Sequence, residues 1–260
     1  MGKLRIQDVY VRSGNRIYLD NINFTLEAGK TLTIVGESGS GKTMLSRLLI
    51  GQMPEEAEVC GSILLQERDL LSMKERQWKA YRGNVIAYIA QNPMALFNPN
   101  QTVGSHSVEL FRSKLSISKQ ESVKRLIKAL EVFHFKDPQG IVGKYPFQLS
   151  GGMLQRIMFA MMLELSPQIL IADEPTSALD RHNTQTVIDT LKSCKQEGCS
   201  MIVITHDYEL VRQVADEVII MKDGQIIEAG EAKNILENPR TEYARELMTP
   251  QIYLRYKEGE

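Results

Sequence analysis

Only three cysteines occur in 260 residues, Cys60, Cys194 and Cys199, and no two of them form a Cys-x-x-Cys pair. That spacing offers neither a disulfide framework nor a structural zinc site, and it fits thiols in a reducing compartment. A basic surplus is also missing: 31 Lys and Arg face 32 Asp and Glu, a formal net charge of −1. Binding to a nucleic-acid backbone asks for a basic field, so no nucleic-acid partner is expected, and any affinity for phosphate must come from a local site. No apolar run approaches the roughly 20 residues that cross a bilayer. The most apolar helix candidate, residues 157–165, carries Glu164. The opening MGKLRIQDVYVRSG meets charge before any apolar core, so it does not read as a signal peptide. A membrane connection is therefore expected to run through a partner.

What the chain does have is a regular alternation of short apolar runs and helical stretches. LRIQDVYV alternates in part, Ser13-Gly14-Asn15 marks a turn, and residues 16–26 resume the pattern up to Ala28-Gly29. TLTIV at 31–35 reads as a buried strand, followed by a glycine-rich loop and a helix that Gly51 closes. Further strands are expected at 61–65, 85–90, 168–173 and 201–205, with helices at 74–81 and 182–197. Residues 217–221 and 225–230 flank Lys222-Asp223-Gly224 as a hairpin. From 91 to 165 helical periodicity takes over, as in residues 121–133. Apolar strands alternating with helices predict an α/β fold with a parallel sheet covered on both faces. The expected division is a core of about 1–90 and 166–230, an inserted α-helical subdomain of about 91–165, and a tail of short helices from about 231 to 260 around Pro239 and Pro250.

Two motifs carry chemistry on their own. Gly36-Glu37-Ser38-Gly39-Ser40-Gly41-Lys42-Thr43 fits G-x-x-x-x-G-K-[ST] between a strand and a helix. The glycines let successive N–H groups turn toward one anion, and the helix start adds its positive dipole end. Lys42 would meet the β- and γ-phosphates, and Thr43 would offer its hydroxyl to Mg²⁺. Kinases, GTPases and transporters share this loop, so it predicts nucleotide binding and no more. In ILIADEP, Asp173 and Glu174 end an apolar strand, where α/β sheets bind ligands. Asp173 is expected to hold Mg²⁺ and Glu174 to activate the attacking water. His206 ends another strand and can contact the γ-phosphate, although a histidine there alone is more often structural, and Gln91 ends a further strand and alone reads as a surface amide.

Leu149-Ser150-Gly151-Gly152-Met153, followed by Leu154-Gln155-Arg156, resembles the LSGGQ signature of ABC ATPases. Its order relative to residues 36–43, Gln91, residues 169–174, Ser177-Ala178-Leu179-Asp180 and His206 resembles one ABC nucleotide-binding domain over nearly the whole chain. The resemblance implies a P-loop NTPase, with a RecA-like parallel core, an antiparallel β subdomain and the inserted helical subdomain. It also implies ATP and Mg²⁺ as cofactors. Ser150, Gly151 and Gly152 would close over the γ-phosphate held by a second ABC ATPase subunit. Gln91 would be the Q-loop glutamine that meets Mg²⁺ or water, Glu174 the general base, Asp180 the D-loop aspartate and His206 the switch histidine. Partners would be transmembrane permease subunits and, indirectly, an extracytoplasmic solute-binding protein, which places the chain at the cytoplasmic side of the membrane. Ser13 stands where the family usually stacks an aromatic ring on adenine. Tyr10 and Tyr18 are the nearby substitutes, and Met153 replaces the signature glutamine.

Gln91-Asn92-Pro93-Met94-Ala95-Leu96-Phe97-Asn98-Pro99 resembles the peptide and nickel importer branch of that family. Peptide relatives usually carry a longer, cysteine-bearing C-terminal extension, and no cysteine follows Cys199. Nickel or a metal chelate is therefore the expected cargo, with peptide import as the alternative. Residues 92–110 would face the membrane subunit, with Phe97 as an anchor for a partner helix. Non-transport ABC proteins, usually tandem cassettes or chains with a long coiled coil, fit less well. A small-molecule kinase would not need the signature.

Overall fold

A computed structural model describes residues 3–248 other than 178. The helix expected around Pro250 and Ala178 of the aspartate motif lie outside the described residues, as does the side chain of His182. In chain order the elements are β1 (Leu4–Ser13), β2 (Arg16–Leu26), β3 (Thr31–Val35), α1 (Lys42–Leu49), β4 (Ala57–Leu65), β5 (Arg68–Asp69), α2 (Glu75–Tyr81) and β6 (Ile86–Ile89). Then follow α3 (Val103–Leu115), α4 (Lys119–Val132), α5 (Pro138–Val142), α6 (Gly151–Leu163), β7 (Ile169–Asp173), α7 (Arg181–Gln196) and β8 (Ser200–Ile204). The last elements are α8 (Tyr208–Val214), β9 (Glu217–Lys222), β10 (Gln225–Glu231), α9 (Ala232–Glu237) and α10 (Glu242–Met248). This is the fold expected of an ABC ATPase, a P-loop NTPase with mixed sheets and helices.

Among the described residues, the larger sheet runs β10-β9-β3-β8-β7-β6, parallel except for the β9–β10 hairpin. Its central strands are apolar at nearly every position because both faces are covered. Side chains alternate between faces along a strand. Accordingly Leu170, Ala172, Met201 and Val203 join the core shared with the helical segment, whereas Ile169, Ile171, Ile202 and Ile204 join the core beneath α1. Every parallel strand therefore ends on the same edge, and the loops after β3, β6, β7 and β8 gather there. The smaller sheet, β2-β1-β4-β5, is antiparallel and packs Leu4, Ile6, Val11 and Leu19 onto that second core.

Two expectations needed adjustment. The strand expected at 61–65 begins at Ala57, because Ala57–Val59 pair with Val11–Ser13 of β1 despite the charged Glu58. The short α8 was not anticipated; Asp207 caps it by accepting from Glu209 N at 3.0 Å and Leu210 N at 3.2 Å.

Between β6 and β7 the chain is helical. α3, α4 and α6 enclose Phe111, Leu126, Leu130, Leu154 and Phe159, all buried. Thr102 and Ser118 cap α3 and α4 through Ser105 N and Glu121 N. Phe97 is not an exposed anchor. It is buried in this core, edge-on to His106 with ring centroids 5.0 Å apart. The turn of residues 93–95 instead exposes Met94 and Leu96, 46% and 54% accessible. In this turn between Pro93 and Pro99, Met94 and Leu96 face outward and Phe97 faces inward.

Candidate functional site

The common edge of the parallel strands holds a cleft of about 480 Å³, lined by Arg16, Tyr18, most of residues 36–44, Arg47, Gln91, Asp173, Glu174, His206 and Leu247. Its floor is the loop from β3 to α1. Gly36 lies so close to Met221 O that a Cβ would strike it. Gly41 has φ +104°, and a Cβ there would sit 2.8 Å from Tyr18 O. Both glycines are therefore required by packing and not by flexibility alone. The β9–β10 turn braces the loop, with Gly224 N donating to Ser40 O at 3.1 Å. Lys42 lies along the loop and donates its Nζ to Gly36 O at 2.6 Å and Glu37 O at 2.7 Å. Burial lowers the Lys42 pKa, against the pull of the Glu174 and Asp173 charges. Gly36, Ser38, Gly39, Gly41, Lys42 and Thr43 line the cleft, whereas Ser40 is buried against the loop.

Asp173, at the end of β7, is almost fully buried. Its Oδ2 accepts from Tyr88 Oη at 3.1 Å and Ser46 Oγ at 3.4 Å. Burial raises its pKa, and burial first and Asp173 second push the Tyr88 hydroxyl up to about 12. A buried carboxylate facing the exposed Thr43 side chain across the cleft suits a hard, oxygen-bound cation that also takes ligands from phosphate. Among the described residues no three His, Cys, Asp or Glu side chains form a metal cluster of their own.

Glu174 is held in the left-handed region at φ +49°. Four hydrogen bonds fix its backbone: its N–H donates to Ile204 O at 2.8 Å, and its carbonyl accepts from Ser177 Oγ at 3.0 Å, Ser177 N at 3.3 Å and Gln155 Nε2 at 3.3 Å. The Glu174 carboxylate pairs with His206 Nδ1 at 2.9 Å. That hydrogen bond, ahead of the opposing burial, raises the His206 pKa. A carboxylate aimed into the cleft beside the phosphate loop, with a histidine holding its orientation, has the geometry of a general base and its orienter.

Gln91, Asp173, Glu174 and His206 thus converge with the loop. Ser150, Gly151, Gly152 and Asp180 do not reach the cleft. Ser150 is exposed and caps α6 through Met153 N at 3.3 Å, and a Cβ on Gly151 would meet nothing within 4 Å. Asp180 caps α7, accepting from Asn183 N at 2.9 Å and Nδ2 at 2.7 Å. Tyr18 lines the cleft, its ring 4.9 Å from the Arg16 guanidinium carbon, while Ser13 and Tyr10 do not. Sequence reasoning missed Arg16, Ser46, Tyr88, Gln155 and Leu247. One of them had a signal: Gln155 is a polar residue on the buried face of an apolar helix, at positions shared with Met158 and Phe159.

A family model described as ABC transporter matches residues 19–177, more than half of the chain. The metal-staphylopine import system ATP-binding protein CntD of Staphylococcus aureus is 41% identical over 232 residues, covering 89% of this chain and 86% of that protein. The oligopeptide transport ATP-binding protein AppD of Bacillus subtilis is 36% identical over 234 residues, covering 89% of this chain and 71% of that protein. Among solved structures, a dimeric ATP-binding cassette in a post-hydrolysis state bound to ADP and Pi superposes with a TM-score of 0.77 at 25% identity, covering 88% of this chain and 98% of the other. The chain belongs to the ABC transporter family and is an ATP-binding, ATP-hydrolysing subunit.

Proposed function

From that membership we propose that this ATPase works as one half of a two-subunit engine, coupling ATP hydrolysis at a shared interface to import through transmembrane permease subunits. One observation carries the reading. Lys42, Thr43, Gln91, Asp173, Glu174 and His206 meet in one cleft, while the signature turn at Ser150 lies exposed outside it. A single chain therefore has two incomplete halves, and a second copy or paralogue would complete both. The dimeric state of the similar cassette supports this. In the assembled site Lys42 and the loop N–H groups would hold the β- and γ-phosphates. Glu174 would take the proton of the attacking water with His206 fixing its carboxylate. Ser150, Gly151 and Gly152 of the other subunit would cover the γ-phosphate. Thr43, Asp173 and Gln91 would hold Mg²⁺, which would neutralise charge on the phosphates. Losing the γ-phosphate removes contacts common to both halves, so the pair opens.

The exposed Met94 and Leu96 and the groove beside them fit the face that meets the permease. Among the described residues no helix is long and apolar enough to cross a membrane, and pairing with permease subunits would hold the chain at the cytoplasmic side of the membrane. The cargo we propose is nickel or a metal chelate, supported by the likeness to the metal-staphylopine protein. The likeness to the oligopeptide protein supports a peptide as the second reading. A solute-binding protein outside the membrane would deliver either.

The test is Glu174→Gln. The variant should bind ATP, lose hydrolysis by about 100-fold or more, and run as a dimer in ATP and a monomer in ADP by light scattering. Hydrolysis at the wild-type rate would remove Glu174 from the role of base, and a monomer in saturating ATP would remove the composite site. Metal content and peptide uptake in cells lacking the chain separate the two cargoes.

A further inference from the structure

We propose that the C-terminal helix α10 belongs to the nucleotide site, with Tyr243 positioning the phosphate loop and Leu247 closing the wall of the cleft. The proposal rests on the phosphate loop as the nucleotide site. It concerns residues well beyond the matched family region, which stops at 177.

The Tyr243 hydroxyl accepts from Glu37 N at 3.1 Å, and Glu37 is the second residue of the loop. The ring is held in turn: Lys222 Nζ sits 4.7 Å from its centroid, at the end of the strand whose turn donates Gly224 N to Ser40 O. Thus α10 and the β9–β10 turn brace successive parts of the loop from outside, which leaves its inner face to the ligand. Leu247, one turn further along α10, lies on the cleft wall itself.

The helix is fixed firmly enough to do this. Glu228 of β10 is buried, and its carboxylate accepts from Arg240 N at 2.8 Å, Thr241 N at 3.0 Å and Thr241 Oγ1 at 2.9 Å. These hydrogen bonds hold the Glu228 pKa low against its burial. Thr241 Oγ1 then accepts from Ala244 N at 3.1 Å. Ala244 and Met248 pack in one cluster with Ile220 and with Val35, the residue that leads into Gly36. A chain of contacts therefore runs from Glu228 through α10 to the first two residues of the phosphate loop.

The physical consequence concerns ordering. An anion is bound well only when several N–H groups already point at one place. Glu37, Ser38 and Gly39 are exposed, and Glu37 O accepts from Lys42 Nζ at 2.7 Å and Ser40 N at 3.2 Å, so the Tyr243 hydroxyl holds the opposite, N–H side of Glu37. Without the tyrosine hydroxyl the loop would have to be ordered by the ligand, and affinity would fall by the corresponding entropy.

Tyr243→Phe in the full chain keeps the ring over Lys222 and removes only the hydroxyl. The dissociation constant for ADP and the KM for ATP should each rise about fivefold, the ratio that one net hydrogen bond corresponds to. Turnover at saturation should stay within about twofold, and the melting temperature without nucleotide should fall by at most about 2–4 °C. Leu247→Ser should raise KM as well. ADP affinity within about 1.5-fold of wild type in Tyr243→Phe would overturn the proposal, and so would a lower melting temperature with affinity unchanged, which marks a purely structural contact. Lys42→Ala is the control for the site itself. If it leaves ADP binding intact, the phosphate-loop reading falls and this proposal falls with it. If it abolishes binding while Tyr243→Phe does nothing, only the proposal falls.

Discussion

Residues 36–43 and the turn at Ser150–Gly152 both lead the chain into a helix start rich in glycine, yet they are built in opposite ways. In the first, glycines are pressed against Met221 and Tyr18, the β9–β10 turn and Tyr243 brace the backbone, and Lys42 is folded along the carbonyls. In the second, Ser150 contacts only its own helix, accepting from Met153 N at 3.3 Å and Leu154 N at 3.0 Å among the described hydrogen bonds, and a Cβ on Gly151 points into open space. A rigid half that receives the ligand and an open half that closes on it are what the proposed composite site needs. The receiving half must pay its ordering cost in advance, whereas the closing half must be free to leave.

Alanine at one glycine of each half tests that contrast most severely. Gly41→Ala forces a side chain to φ +104° and into Tyr18 O. A cost of about 2–3 kcal/mol is expected, with nucleotide affinity lost by tenfold or more and the melting temperature down by several degrees. Gly151→Ala meets nothing and has ordinary φ, so melting temperature and the affinity of the isolated chain should be unchanged. Its effect should appear only as weaker ATP-dependent pairing in the Glu174→Gln background. Equal losses of nucleotide affinity from both variants would erase the distinction between the halves.

The same contrast explains how much was legible beforehand. The phosphate loop, the Asp173–Glu174 strand end and the signature are local strings whose chemistry follows from spacing, and the parallel strands announced themselves as uninterrupted apolar runs. What held those strings in place was not local. Tyr88 and Ser46 reach Asp173 from two other elements, and Tyr243 reaches Glu37 across more than 200 positions. No periodicity encodes such a meeting, because it depends on strand order in the sheet. Phe97 failed for a related reason: a turn between two prolines does not reveal which of Leu96 and Phe97 faces inward until α3 and α6 are packed around it. Tyr18, named as a substitute for Ser13, lines the cleft, but Arg16 over its ring was not foreseen.

Gln155 joins the two regions. It sits on the helix that Ser150 caps, it is fully buried, and it donates to Glu174 O at 3.3 Å and Pro175 O at 2.8 Å, while its Oε1 has no partner. Gln155→Met preserves length, removes both donations and also removes the unsatisfied oxygen, so the two stability effects should offset to within about 1 kcal/mol. Glu174 would then lose one of the contacts holding it at φ +49°. Turnover should fall about tenfold at unchanged KM for ATP, because the phosphate loop is untouched. An unchanged turnover number would show that the signature helix does not position the base.

The smallest expected effect lies in the His206–Glu174 pair, and its sign is fixed by the direction of the shift. The hydrogen bond to Glu174 raises the folded-state pKa of His206, so the protonated form is the one that folding favours. The stabilisation is then fully present below the unfolded histidine value of about 6.5 and disappears as pH rises through the raised folded value. The His206 side chain is 49% exposed, so solvent screening limits the pair to well under about 1 kcal/mol. His206→Asn should therefore melt slightly below wild type near pH 6, by about 1–2 °C, with the two curves meeting at alkaline pH. Gly151→Ala should show no such convergence, because no titrating contact reaches the Ser150–Gly152 turn among the described residues. A His206→Asn deficit that widened as pH rose would mean that the neutral imidazole, and not the ion pair, is what the rigid half holds in place.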